Sequence, residues 1–280
     1  MSAWLETYRG TVFRWEVDHN DHFTVAYYFA RIADAGHALL AALGLPPAEA
    51  STADCFVRYQ RELRVGDIMH VESGVIGVEA GALVLGHKLF DSGTGTVCTT
   101  VEQRVRLAAS PSAALRRRAE ERSVAWDGPA RDRRPRPANL TGFRDSARDV
   151  VKPHEMDGSG SAALSHYVHR FSAANGHAIA GFGMTPAYMR AEQRGFSTFE
   201  FQLELGEPLR AGDAVRVRSG VMHVGNSSLR LLHVMTREPG DDVVASLEQS
   251  GVHFDQDARR PAPLPDGLRE RAQALLVKTS

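Results

Sequence analysis

The chain has 280 residues, 43% of them hydrophobic and 24% charged, with a formal net charge of -1, so nothing in its overall balance draws it to nucleic acid or anionic lipid. No apolar run approaches the roughly 18 residues of a membrane span, and the opening "MSAWLETYRG" has no basic segment leading into an apolar one, so a cytoplasmic protein without membrane or nucleic-acid partners is expected. The length suffices for two domains, each with its own core.

In chain order, a strand pattern over 9–17 runs into "WEVDHNDHF" (15–23), a turn that crowds Glu16, Asp18, His19, Asp21 and His22 between aromatic residues. A helix follows over 24–43, where Val25, Tyr28, Phe29, Ile32, Ala35, Leu39 and Leu43 recur at helical spacing. Strands are read near 55–63, 67–79, 82–91 and 96–107, with Gly81, Gly93 and Gly95 in the turns between them. Cys55 and Cys98 fall inside these strands without CxxC spacing and read as packed thiols. A short helix over 114–122 then gives way to 123–147, rich in Pro, Gly and Arg and free of periodicity. This segment reads as a solvated linker, the alternative being that Arg131, Arg133, Arg134 and Arg136 grip the phosphates of a nucleotide-tailed substrate.

The second half repeats the first. "LRVGDIMHVESGVIGV" at 63–78 recurs as "LRAGDAVRVRSGVMHV" at 209–224, and in the same register Leu83, Leu85 and His87 fall on Leu229, Leu231 and His233. Upstream, Glu16, Asp18, Tyr28, Arg31 and Gly44 fall on Glu155, Asp157, Tyr167, Arg170 and Gly183, and an insertion around "TPAYMRAEQRG" (185–195) absorbs the change of register. One long helix followed by four strands with short links implies an antiparallel sheet curled around a central helix, the hot-dog fold. The expected architecture is α+β: two tandem hot-dog domains, 1–124 and 147–280, packed as a pseudo-dimer and joined by a linker over 125–146.

The stretch "WEVDHNDHFTVAYYFARIADAG" (15–36) resembles the 4-hydroxybenzoyl-CoA-thioesterase-like superfamily, whose signature sets an Asp before a Gly-His pair, then an Asn, then a Tyr in the helix. Asp18, His22 and Tyr28 keep that spacing. The stretch also resembles a duplicated subgroup that includes betainyl-CoA thioesterases and the thioesterase halves fused to 3-hydroxyacyl-CoA dehydrogenases. Asp21 stands in place of the Gly and Thr24 in place of the Asn; the second copy, "EMDGSGSAAL", keeps Asp157 and Gly160 but puts Ser161 at the His position. The resemblance implies an acyl-CoA thioesterase with coenzyme A as part of its substrate, no other cofactor, and a homo-oligomeric state. It also places Thr24, Tyr28 and Tyr167 on the substrate side. No His, Cys and carboxylate cluster has metal-ligand spacing, so no metal is expected.

Thioester hydrolysis needs a group that attacks the carbonyl or activates water, and donors for the charge that grows on the carbonyl oxygen. A carboxylate just before a helix N-terminus meets the first need, and the unpaired amides of the first turn meet the second. Asp18 and Asp157 are therefore the candidate bases or nucleophiles, with the backbone N–H of His22 or Ser161 as oxyanion donor and His22 also able to orient Asp18. Asp21 and Gly160 complete the oxyanion side of the helix entry, where the Asp21 carboxylate would compete with the developing charge unless it points away as a cap. The plainer reading of an Asp at a helix entry is an N-cap. Glu16 and Glu155 are expected to pair with Arg31 and Arg170, and His87 and His233 to be core histidines. Gln103 and Gln249 face the same side as apolar neighbours. Trp15, Phe23, Tyr27 and Tyr28 are expected to pack in the core, the alternative being a box for a quaternary ammonium group. Two other functions stay open: a hot-dog enoyl-CoA hydratase, suggested by "DHNDH", and a non-catalytic acyl-CoA-binding protein.

Overall fold

The computed structural model describes residues 4–18 and 21–278, so His19 and Asn20 of the acidic turn lie outside the described residues. The chain divides into two compact units, Met1–Ala130 with Met156–His166, and Arg131–Glu155 with Tyr167–Ser280. No helix among the described residues is long and apolar enough to cross a membrane.

The first repeat runs β1 (Leu5–Thr11), α1 (Val25–Ala42), β2 (Ala50–Tyr59), β3 (Ile68–Val78), β4 (Ala82–Asp91), β5 (Thr96–Leu107) and α2 (Ala113–Glu121). Its strands lie in the order β1-β3-β4-β5-β2, all antiparallel. Helix α1 buries Tyr28, Phe29, Ile32, Ala35, Leu39 and Leu40. At its C-terminal end Leu39, Leu40 and Leu43 pack on Val75, Leu83, Leu85 and Val105, with Leu115 and Ala119 of α2 closing the cluster. Burying each such leucine contributes about 1.5–3 kcal/mol, and the sheet curls because the helix offers it that apolar stripe.

The second repeat runs β6 (Arg144–Val150), α3 (Leu164–Ala180), α4 (Pro186–Ala191), β7 (Arg194–Leu205), β8 (Ala214–Val224), β9 (Ser228–Arg237), β10 (Asp242–Asp255) and α5 (Asp266–Gln273). The strand order is again hot-dog, β6-β8-β9-β10-β7. Register repeats as well as order: Ser73 faces His87 and Ser219 faces His233, with strand irregularities at Val75/Gly77 and Val221/His223. The insertion at 185–195 is α4, capped by the Thr185 hydroxyl accepting from the Tyr188 amide.

Three expectations are corrected. The first strand ends at Thr11, and 14–16 form a 3-10 turn, because the Glu16 carboxylate accepts the Phe13 amide at 3.0 Å and bends an apolar-looking stretch out of the sheet. Second, the segment 125–146 is not a separate solvated linker. Arg134 lies between Glu200, at 2.8 Å, and Glu248, both buried, while Arg131 donates to Gln202 at 3.1 Å and Arg136 to Ser246 at 2.6 Å. These three arginines are bound to the strand face of β7 and β10, which argues against a phosphate grip. Third, Trp15 does not pack in the core. The residue is 71% exposed.

Cys55 and Cys98 are both buried free thiols, and burial pushes the Cys98 thiol up to about 11. His87 and His233 are fully buried. Each accepts or donates a hydrogen bond at Nδ1, with Ser73 at 2.7 Å and with Ser219 at 2.6 Å. Burial, opposed by the neighbouring amide of Gln103 or Gln249, pushes both imidazoles down to about 4. In the first repeat the chain continues from His87 Nε2 to Gln103 at 3.0 Å and on to Thr52 at 2.8 Å. Gly36 makes room for it, since a Cβ there would stand 2.7 Å from Gln103 Oε1. Asn175 takes that place in the second repeat, where Gln249 still bonds Thr198 at 2.7 Å. There His233 Nε2, Gln249 Oε1 and Asn175 Oδ1 are buried without a hydrogen-bond partner among the described residues.

Candidate active site

The acidic turn is a closed loop in both repeats. Asp18 N donates to His22 O at 2.8 Å and Asp157 N to Ser161 O at 2.8 Å, while the bridges Val17–Phe23 and Met156–Ala162 zip the stems together. Just before the loop closes, the chain takes a left-handed conformation, at Asp21 with φ 62° and at Gly160 with φ 76°. Asp is among the few residues with a side chain that tolerate this region, which explains how Asp21 replaces a glycine. Its carboxylate is drawn away to Arg14 at 2.7 Å, so it does not stand over the helix entry.

Asp18 faces back into the loop, its Oδ1 accepting the His22 amide at 3.1 Å. Asp157 likewise accepts the Ser161 amide, at 3.4 Å, and also the amide and hydroxyl of Ser159, whose counterpart Asn20 lies outside the described residues, at 2.8 and 2.6 Å. The amides expected as oxyanion donors are thus held by the carboxylates themselves. The next amides along, Val25 and Ala26 in the first turn of α1, precede any intrahelical acceptor. Thr24, the residue before α1, does not cap them with its side chain. Its hydroxyl is buried and has no hydrogen-bond partner among the described residues.

Each repeat has the same buried ion pair, from the glutamate two residues before its turn aspartate to an arginine of its central helix. Buried Glu16 pairs with Arg31, and buried Glu155 with Arg170 at 2.7 Å, as the repeat suggested. Removing one partner of such a pair costs about 3–5 kcal/mol. Tyr28 and Tyr167 are buried, and their hydroxyls accept the backbone amides of Leu63 at 3.3 Å and Leu209 at 2.9 Å. Burial raises the Tyr28 hydroxyl far above its ordinary value. Through these bonds both tyrosines tie the central helix to the loop before the third strand.

The chemistry differs between the repeats. His22 Nε2 meets Glu62 at 2.7 Å, and Glu62 in turn lies 3.6 Å from Arg64. Sequence reasoning missed Glu62. Its signal was available in the repeat itself, because "ELR" at 62–64 stands against "PLR" at 208–210, a carboxylate against a proline. The second repeat therefore has Ser161, Ala163 and Pro208 where the first has His22, Thr24 and Glu62. The structure brings Asp18, Asp21 and His22 together on one loop, followed directly by Thr24, and leaves Asp157, Gly160 and Ser161 in a loop without imidazole or second carboxylate.

The family model described as the thioesterase-like superfamily matches residues 12–121 and 151–272, one segment per repeat. No curated protein matches the chain at the sequence level. Among solved structures, an acyl-ACP thioesterase from Bacteroides thetaiotaomicron is similar with a TM-score of 0.67 at 10% identity, over 88% of this chain and 96% of that one. A 12:0-ACP thioesterase from Umbellularia californica is similar with a TM-score of 0.66 at 12% identity, over 90% of this chain and 94% of that one. At such identities these likenesses establish the hot-dog fold. With both repeats matched, the chain belongs to the thioesterase-like superfamily and is a hydrolase acting on thioesters.

Proposed function

We propose that the protein hydrolyses an acyl-CoA thioester at the acidic turn of the first repeat. The observation that carries this reading is the local difference between the repeats: beside the carboxylate that both share, the first repeat sets an imidazole held by a second carboxylate and a buried hydroxyl with no hydrogen-bond partner among the described residues at the entry of α1, in a chain of thioesterase lineage. Asp18 acts as base on a water molecule, or as the nucleophile itself. In the first case the water oxygen bonds to the acyl carbon, the carbon–sulfur bond breaks, and the proton taken by Asp18 ends on the departing thiolate. His22, oriented by Glu62, stands on the same loop to hydrogen-bond the thioester or deliver that proton. The first amides of α1, Val25 and Ala26, with the Thr24 hydroxyl, serve the growing negative charge. Coenzyme A enters as part of the substrate, with no further cofactor. Asp157 keeps the second turn closed, and Gly160 and Ser161 shape it.

Likeness of the 15–36 stretch to betainyl-CoA thioesterases favours a CoA thioester over a carrier-bound one. The test is free-thiol release from a panel of acyl-CoA thioesters by the full chain, with product acids identified by mass spectrometry. Release of coenzyme A with the matching acid supports the reading. Hydration of an enoyl-CoA without thiol release replaces it with the hydratase, and retained acyl-CoA with neither reaction replaces it with a binding protein.

A further inference from the structure

Four of the large apolar side chains most open to solvent gather at one end of the first repeat: Phe13, Trp15, Val65 and Ile68. Thr11 pairs with Ile68, Val12 N donates to Asp67 O at 2.9 Å, and Gly66 N to Val12 O at 2.9 Å, which sets the 64–68 loop beside the residues leading to the rings. Phe13 and Trp15 are stacked, their centroids 4.7 Å apart and their planes within 3°, and they are 46% and 71% exposed. A tryptophan so exposed is uncommon, and this one is held in place: Glu16 N donates to Phe13 O at 3.0 Å and its carboxylate takes the Phe13 amide, which fixes the turn that carries both rings. A rigid, flat, solvent-facing stack is a surface for another flat ring.

Two exposed guanidiniums flank it. Arg14 lies between the rings in sequence and reaches Asp21 of the acidic turn at 2.7 Å, and Arg64 lies 3.6 Å from Glu62, the carboxylate that holds His22. Exposed ion pairs of this kind contribute little, so either guanidinium can turn to a phosphate at small cost. In the second repeat the corresponding residues are Lys152, Pro153 and His154, and Val65 and Ile68 become Ala211 and Ala214. That repeat has no such stack.

We propose that Phe13 and Trp15 form the platform for the adenine nucleotide of coenzyme A, with the outer face of Trp15 stacking on the purine and Arg14 and Arg64 meeting the phosphates. The inference rests on the acyl-CoA reading and deepens it: the platform adjoins the turn that carries Asp18 and His22, so it selects nucleotide-tailed thioesters for the first repeat.

The experiment is calorimetric titration of the full chain with coenzyme A and with pantetheine, which lacks the nucleotide, for wild type, Trp15→Ala and Trp15→Phe. Exposure of the Trp15 ring leaves folding intact in both variants, checked by circular dichroism. Trp15→Ala is expected to weaken coenzyme A about tenfold or more while leaving pantetheine unchanged, and Trp15→Phe to stay within about threefold of wild type. Three results overturn the platform: no binding of coenzyme A by wild type, equal affinities in wild type and Trp15→Ala, or a loss shared equally by pantetheine. A change in sedimentation of Trp15→Ala with unaltered coenzyme A binding also overturns it, assigning the rings to contact between copies of the chain. Thiol release separates the two claims. A wild type that cleaves acyl-CoA but is indifferent to Trp15 keeps the hydrolase and loses the platform; one that binds coenzyme A through Trp15 but cleaves no acyl-CoA does the reverse.

Discussion

The two acidic turns close in the same way and carry different chemistry. Both close through an Asp that accepts an amide four residues on, both pass through a left-handed residue, and both follow in sequence a buried Glu paired with a helix Arg. Only the side chains that project from this frame have diverged, from His22, Thr24 and Glu62 to Ser161, Ala163 and Pro208. The shared Asp is therefore ambiguous by itself, since closing a loop accounts for it in both places. What distinguishes a working turn is the set of groups that the loop does not need for its own closure.

The largest effect that can break this comparison is on turnover. Asp18→Asn is expected to lower the rate of thiol release about a hundredfold or more, the lower end of what a general base contributes. Asp157→Asn keeps a loop of the same shape, because an amide oxygen still accepts from Ser159 and Ser161, and is expected to stay within about threefold of wild type. Steady-state kinetics with one acyl-CoA substrate decide it. Equal losses in the two variants show that both turns work, and the asymmetry argued from His22 and Thr24 fails.

A second effect concerns what the repeats share. His87 and His233 sit at the same register position, and burial holds both at about 4, below the ordinary value of 6.5. With the folded value depressed, the unfolded chain binds more protons as the pH falls below 6.5. Stability is therefore complete above 6.5 and is lost as the pH falls toward 4. Each imidazole contributes on the order of 2 kcal/mol to the loss between pH 7 and pH 5. Urea midpoints at the two pH values measure it, and His87→Gln and His233→Gln should each flatten the difference by a similar amount. A flattening confined to His87→Gln shows that the orphaned polar atoms around His233 have changed its surroundings, and the cores then differ as the turns do.

How much of this was legible depends on the range of the interactions involved. Helix α1 and strands β3, β4 and β5 fall where apolar spacing and glycine turns put them, since those signals are local and the repeat reads each of them twice. The expected Glu16–Arg31 and Glu155–Arg170 pairs form, and were legible because the same Glu and Arg recur fifteen residues apart in both copies of the motif. The linker arginines misled because the carboxylates that hold Arg134 lie 66 and 114 residues away, on strands whose faces no local pattern assigns. Trp15 misled for a related reason: its apolar neighbours suggest burial, while a single carboxylate, Glu16, turns the backbone and swings the ring outward. In the site itself, Asp18 and His22 were visible as a motif, and the repeat marked Glu62 as a carboxylate set against Pro208, but its pairing with His22 depends on the strand-entry loop meeting the turn at His22 and Arg64.

The smallest effect discriminates most sharply between a residue kept for the fold and one kept for the reaction. Thr24 carries a buried hydroxyl with no hydrogen-bond partner among the described residues, beside a helix start that it does not cap. For the folded chain alone such a group is a burden, because desolvating a hydroxyl without a partner costs free energy. Thr24→Val removes the hydroxyl with little change of shape, so the thermal midpoint should hold or rise. If the hydroxyl meets the thioester oxygen or the attacking water, the same change should lower the rate about tenfold, the worth of one well-placed hydrogen bond. Gain in stability with loss of rate marks a group retained for chemistry. A fall in both measurements instead means that Thr24 supports the helix entry, and the hydroxyl then drops out of the proposed site, leaving the amides of Val25 and Ala26 to carry the charge alone.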